Sequence, residues 1–137
     1  VREEHDMLEI KAVDHIGIRV TDVEAALAFY RVLGFEFKYK VTDDHVTIVE
    51  NRNGVCINFI TNGNDANDGK NVLMDMDAKY PGYTHVALNI SSIEEAMKAL
   101  EEGGIPLSGE PVEFGSGNRS IFVRDPDQTV IELRERR

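Results

Sequence analysis

The chain repeats itself at an interval of 70 residues. The stretch Tyr83-Thr84-His85-Val86-Ala87-Leu88-Asn89-Ile90 matches Val13-Asp14-His15-Ile16-Gly17-Ile18-Arg19-Val20, which makes His15 and His85 equivalent. The match runs on. Thr21-Asp22-Val23-Glu24 corresponds to Ser91-Ser92-Ile93-Glu94, and Gly34 to Gly104. Val23, Ala26, Leu27 and Tyr30, spaced i, i+3, i+4, i+7, correspond to Ile93, Ala96, Met97 and Leu100. Such a repeat admits few folds: each half is one supersecondary unit, and two units must bury their apolar faces together.

Each half reads strand, helix, then three strands. Residues 12–20 alternate and are rich in Val and Ile, as are 83–90, so both read as strands. Thr21 with Glu24, and Ser91 with Glu94, have the spacing of capping boxes at helix starts. Gly34 and Gly104 stop the helices, because glycine enters the left-handed turn without a Cβ penalty. Strands are expected at 35–41, 45–50 and 54–61 in the first half, and near 107–113, 118–124 and 128–135 in the second. Thr42-Asp43-Asp44, Asn51-Arg52-Asn53-Gly54 and Asp125-Pro126-Asp127-Gln128 supply turns. The fold class expected is α+β: one domain over 1–137, built of tandem βαβββ modules at 12–61 and 83–135.

Residues 62–82 form the connector. Asn62-Gly63-Asn64-Asp65-Ala66-Asn67-Asp68-Gly69 has loop chemistry. With Gly69 in the sixth place of a calcium loop, the third would be Ala66 and the twelfth Asp75, which fails the calcium pattern. A link this long is expected to carry a short helical turn around 72–76 and to lie over the site.

With 42% hydrophobic and 29% charged residues the composition is that of an ordinary globular domain. A net charge of −10 argues against nucleic acid and anionic membranes as partners, since both require a basic face. No apolar run reaches the ~20 residues of a membrane helix, and 1–11 is too charged for a signal peptide. The single cysteine, Cys56, excludes an internal disulfide framework and points to a reducing cytoplasm. Cys56 itself reads as a structural thiol. His5, among acids, and His45, beside a turn, read as surface residues.

Side chains alternate along a strand, so His15, Gly17 and Arg19 share one face, as do Tyr83, His85, Ala87 and Asn89. Val130, Glu132 and Arg134 share a face of the last strand. Glu132 interrupts an apolar run, Val130-Ile131-Glu132-Leu133, where an unpaired carboxylate costs several kcal/mol. It needs a partner: a cation held with two histidines, or a buried arginine. The turns at 51–54 and 125–128 are equivalent at an offset of 74, so Asn58 occupies the place of Glu132. His15 and Asn58 from one module thus face His85 and Glu132 from the other about an approximate twofold axis.

These residues resemble the vicinal oxygen chelate superfamily of glyoxalase I, extradiol dioxygenases, fosfomycin-resistance enzymes, methylmalonyl-CoA epimerase and bleomycin-binding proteins. The resemblance covers 12–135. It is carried by Asp14-His15-Ile16, by Phe29-Tyr30-Arg31-Val32-Leu33-Gly34-Phe35, by Tyr83-Thr84-His85-Val86-Ala87, and by Phe122-Val123-Arg124-Asp125-Pro126-Asp127 leading to Ile131-Glu132-Leu133. It implies a glyoxalase-like, partly closed mixed sheet around a central metal site. The positions of His15, His85 and Glu132 are metal ligands in such proteins, with Asn58 as a weak fourth. Glyoxalases and epimerases carry Glu or Gln at that fourth place. Asn cannot accept a proton as a carboxylate does, which argues against both activities.

Two histidines and one carboxylate leave coordination positions open and suit one divalent ion, Fe(II), Mn(II) or Zn(II). Such a centre can hold a small substrate through two adjacent oxygens. Arg19 and Arg134 are placed to grip a substrate carboxylate or phosphonate, and Tyr83 and Asn89 to donate hydrogen bonds. The resemblance therefore implies a metal-dependent enzyme, dioxygenase-like in the first reading. A glyoxalase-like lyase or isomerase, a fosfomycin-type transferase and a non-catalytic drug- or metabolite-binding protein are the alternatives. Related proteins pair, so a homodimer is expected, with the site formed within one chain or across two.

Overall fold

The computed structural model describes residues 6–41 and 44–137. The first module contains β1 (Ile16–Arg19), α1 (Val23–Val32), β2 (Glu36–Val41), β3 (Val46–Glu50) and β4 (Cys56–Ile60). The second contains β5 (His85–Asn89), α2 (Ile93–Glu102), β6 (Val112–Glu113), β7 (Arg119–Arg124) and β8 (Val130–Glu135). Each module is one four-stranded mixed sheet, ordered β1-β4-β3-β2 and β5-β8-β7-β6. The first strand of each module pairs in parallel with its last; the other pairs are antiparallel. This is the expected α+β fold of two βαβββ modules. The sheets remain separate and unclosed, with β1 and β5 each at a sheet edge.

The register bears out the internal equivalences. Gly17 lies opposite Asn58, and Ala87 opposite Glu132, which are the same pair at offsets of 70 and 74. The turns agree as well. Asn51 Oδ1 accepts from the N–H groups of Asn53 and Val55, while Asp125 Oδ1 accepts from those of Asp127 and Thr129. Gly54 has φ 83°, and its counterpart Gln128 has φ 69°. A side chain there is strained, so Gln128→Gly should raise the unfolding free energy by about 0.5–1 kcal/mol in urea titration, relief of the left-handed strain outweighing glycine's entropy.

The helices begin one residue later than their expected boxes. Asp22, not Thr21, caps α1 and accepts from Glu24 and Ala25; Ser92, not Ser91, caps α2 and accepts from Glu95. The Thr21 hydroxyl is drawn instead to Asp127 of the other module, 2.6 Å away. The strand expected over 107–113 shortens to Val112–Glu113. Pro106 and Pro111 lack an N–H, and Gly109 has φ 92°, so the ladder is interrupted. In the connector, the short helical turn expected around 72–76 is a single turn in which Asp75 N–H reaches the Asn71 carbonyl at 2.8 Å. His45 is exposed, as expected. His5 and part of the turn at 42–44 lie outside the described residues.

One face of each sheet is buried, and both buried faces join one core. It holds Ile18, Val20, Ile57 and Phe59 from the first sheet, Ile121, Val123, Ile131 and Leu133 from the second, and Ala26, Phe29, Tyr30, Ile93 and Leu100 from the helices. Burying each large side chain contributes about 1.5–3 kcal/mol. A Cβ added to Gly103 would lie 2.7 Å from Val32, so the helix ends pack closely. The Tyr30 hydroxyl donates to Asp125 Oδ2 at 2.7 Å, a buried tie between modules. By alternation, the core side chains leave His15, Gly17, Arg19 and Asn58 on the opposite face of one sheet, and His85, Ala87, Asn89, Glu132 and Arg134 on that of the other. Among the described residues no helix is long and apolar enough to cross a membrane.

Candidate metal centre

The non-core face of the second sheet carries three rows of side chains across β5, β8 and β7: His85, Val130 and Arg124; Ala87, Glu132 and Phe122; Asn89, Arg134 and Ser120. Glu132 is the middle member. Only 6% of it is exposed, and each oxygen is engaged. His85 Nε2 lies 3.1 Å from Oε1. The Ser120 hydroxyl donates to Oε2 at 2.6 Å and Arg134 Nη1 at 3.2 Å. Burial raises the Glu132 carboxyl, but the bonds from Ser120, Arg134 and His85 more than offset it and hold the group below the ordinary carboxylate range. Of the two partners expected, a cation held with two histidines or a buried arginine, an arginine is present, half-buried Arg134, together with one histidine.

Neighbouring side chains fix this pair. The Thr84 hydroxyl lies 2.9 Å from His85 Nδ1, orienting the imidazole, and Phe122 meets the ring edge-on at 6.2 Å between centroids. Phe114 stacks under the Arg134 guanidinium, 4.4 Å from ring centre to Cζ. Ser120 and Phe114 stand in no sequence motif, and Thr84 and Phe122 stand in motifs that assign them no role. The turn at 125–128 carried a usable signal for two of them, because a hairpin closed there sets Phe122 opposite Glu132 and Ser120 on the diagonal.

The first sheet presents the equivalent face, with a plainer set of groups. Asn58 Oδ1 accepts from the Cys56 thiol at 3.7 Å. Burial, then the Glu50 charge, pushes that thiol up, so it stays protonated, as a structural thiol would. His15 Nδ1 is bonded to Asp14 at 2.7 Å. Arg19 donates through Nε to Asn62 of the connector at 3.0 Å, Tyr83 is 96% exposed, and Asn89 is exposed beside Arg134.

The expected convergence of His15, His85 and Glu132 does not occur within one chain. Among the described residues, no three His, Cys, Asp or Glu side chains group closely enough to hold an ion. His85 meets Glu132; His15 does not join them. The reason is topological: β1 and β5 are edges of separate sheets with no ladder between them. Both histidines open onto one groove of about 1390 Å³, lined also by connector residues Asn64, Asn67, Lys70 and Val72.

The half-site formed by His85 and Glu132 is compatible with a divalent ion. Two ligands at right angles with bonds of about 2.1 Å stand about 3 Å apart, and His85 Nε2 to Glu132 Oε1 is 3.1 Å. The other oxygen and the other ring nitrogen are already held by the protein, as metal ligands require.

Known proteins support this architecture. The Bacillus subtilis protein YwkD is 29% identical over 136 residues, spanning 92% of this chain and 98% of its own. YaeR of Escherichia coli is 28% identical, spanning 94% and 99%. A crystal structure from Sphaerobacter thermophilus, described as a member of the glyoxalase/bleomycin resistance protein/dioxygenase superfamily, is 28% identical, with a TM-score of 0.68 over 93% of this chain and 99% of that one. A family model matches residues 12–133, almost the whole repeat, and the chain belongs to the Glyoxalase/Bleomycin resistance protein/Dioxygenase superfamily.

Proposed function

We propose that the protein is a divalent-metal-dependent enzyme acting on a small substrate that presents two adjacent oxygens. Its ligands are His85 and Glu132 from one chain and His15 from a second copy. The observation that carries this reading is the pairing of an oriented imidazole with a buried, ionised carboxylate at ligand spacing. The ion, once bound, supplies Lewis acidity to the chelated oxygens. His85 and Glu132 hold it, Ser120 and Arg134 keep Glu132 ionised and aimed, and Asn58 supplies no carboxylate base.

Two histidines with one carboxylate fit Fe(II) and a dioxygenase-like reaction first. Asn58 speaks against proton-shuttling isomerisation. The intact histidine–carboxylate pair speaks against a protein that only binds a drug or metabolite.

The pairing of copies rests on what each chain leaves open. Both non-core faces bear exposed apolar side chains, Tyr39 and Val41 on one and Val112 and Phe114 on the other. A second copy that sets its His15 face over the His85 face covers both and repeats the contact by twofold symmetry.

Mixing variants tests the assembly. His15→Ala and Glu132→Ala, each purified alone, should bind no divalent metal. After exchange of subunits the mixture should regain about a quarter of wild-type metal content, since half the dimers are mixed and each holds one intact site. No recovery, with exchange demonstrated, would place the site within one chain or nowhere. Oxygen consumption by the iron-loaded wild type with a panel of catechols then tests the reaction. No uptake with any member would remove the dioxygenase reading and leave the metal site standing.

A further inference from the structure

We infer that residues 8–13 form an arm that crosses to a second copy of this chain, where Leu8 and Ile10 enter an apolar groove at the end of α2 and Lys11 pairs with Glu101. The inference rests on the pairing of two copies proposed above and needs no metal ion.

Three observations carry it. First, the segment before β1 is apolar and uncovered. Leu8, Ile10 and Val13 are 83, 79 and 81% exposed, and residues 7–15 stand outside any helix or strand. Among the described residues, none of 7–13 makes a hydrogen bond or an ion pair. Apolar side chains exposed singly are ordinary, whereas a cluster this dense marks a contact surface. Leu8 and Ile10 alternate with Glu9 and Lys11, the pattern of a strand with one face to cover.

Second, the chain holds a groove of matching chemistry that its own arm does not line. The groove has a volume of about 570 Å³, and Met97, Leu100, Ile105, Pro106 and Leu107 line it, with Glu101 as its charged member. The last turn of α2 carries Glu101 and Glu102 and no basic residue. Carboxylates there face the negative end of the helix dipole, so this rim favours a cation. Lys11, beside Ile10 in the arm, is a cation with no partner among the described residues.

Third, the arm leads into the contact between copies. Val13, Asp14 and His15 line the groove onto which both histidines open. A second copy that brings its His15 over His85 therefore brings its arm as well, and the seven residues from His15 back to Leu8 span up to about 25 Å. Twofold symmetry repeats the exchange, so each substitution acts twice per dimer.

Sedimentation equilibrium of the full, metal-free chain tests the inference. The wild type should be a dimer at micromolar concentration. Ile10→Asp leaves the core untouched and should raise the dissociation constant about 100-fold or more, since an apolar side chain is lost from each of two grooves. Lys11→Glu and Glu101→Lys should each raise it about five- to tenfold, and both together in one chain should bring it back to within about threefold of wild type. Net charge alone predicts the opposite sign for Glu101→Lys, which makes the chain less negative and so lessens repulsion between copies. A dimer whose dissociation constant ignores Ile10→Asp, or charge reversals that do not rescue each other, would overturn the docking of the arm and leave the pairing of copies standing. A wild type that stays monomeric would overturn that pairing and this inference with it.

Discussion

Asp125→Ala should lower the unfolding free energy by about 3–5 kcal/mol, a large part of the 5–15 kcal/mol typical of a domain. Asp125 is only 2% exposed. Its Oδ1 holds the turn through the N–H groups of Asp127 and Thr129, and its Oδ2 accepts from the Tyr30 hydroxyl. Alanine orphans all three donors and leaves a cavity between the modules. Urea unfolding followed by circular dichroism measures the loss, and a change under about 1 kcal/mol would show the tie to be dispensable. Tyr30→Phe, which removes one bond, should cost about 1.5–3 kcal/mol, the value of a hydrogen bond to a charged group.

The same pair makes a pH prediction. Burial, followed by the neighbouring Asp125 charge and hydrogen bond, pushes the Tyr30 hydroxyl far above its ordinary range. An unfolded tyrosine loses its proton at pH ~10, whereas the folded one keeps it. Above that pH the unfolded state binds fewer protons, so stability falls as pH rises. Tyr30→Phe should start from lower stability and lack this component of the alkaline slope. Identical slopes in wild type and variant would refute the assignment.

Glu132→Gln should weaken divalent-metal binding by about a hundredfold or more. Loss of an outer partner of a metal ligand already costs about 10–100-fold, and this substitution removes the ligand's own charge. Volume is kept, and Ser120 and Arg134 are left facing a neutral amide, so the protein should remain folded. The measurement is metal affinity by competition with a chelating dye, alongside a melting curve. Wild-type affinity in a folded variant would remove Glu132 from the centre.

Much of this is legible in the sequence alone. The 70-residue interval gave the two modules, the two helices and the left-handed glycines Gly34 and Gly104, and the 74-residue interval set Asn58 opposite Glu132. These are local matters of period, turn chemistry and chain self-similarity. Smaller misreadings came from competition across the modules. Thr21 looked like a cap, but Asp127, more than a hundred residues away, takes its hydroxyl. The strand at 107–113 read well by pattern and lost most of its ladder to two prolines and a left-handed glycine.

Strand alternation decided by itself which side chains share a face, and so placed His85 with Glu132 and Arg134 on one sheet and His15 with Asn58 on the other. Which faces then meet was left to tertiary packing. The helices and the core faces of both sheets bury one apolar cluster, which turns the histidine faces outward and leaves β1 and β5 as separate edges. Side-chain direction is a property of neighbouring residues along the chain. The mutual placement of two sheets depends on where the largest apolar area can leave water, and that is a sum over the whole molecule.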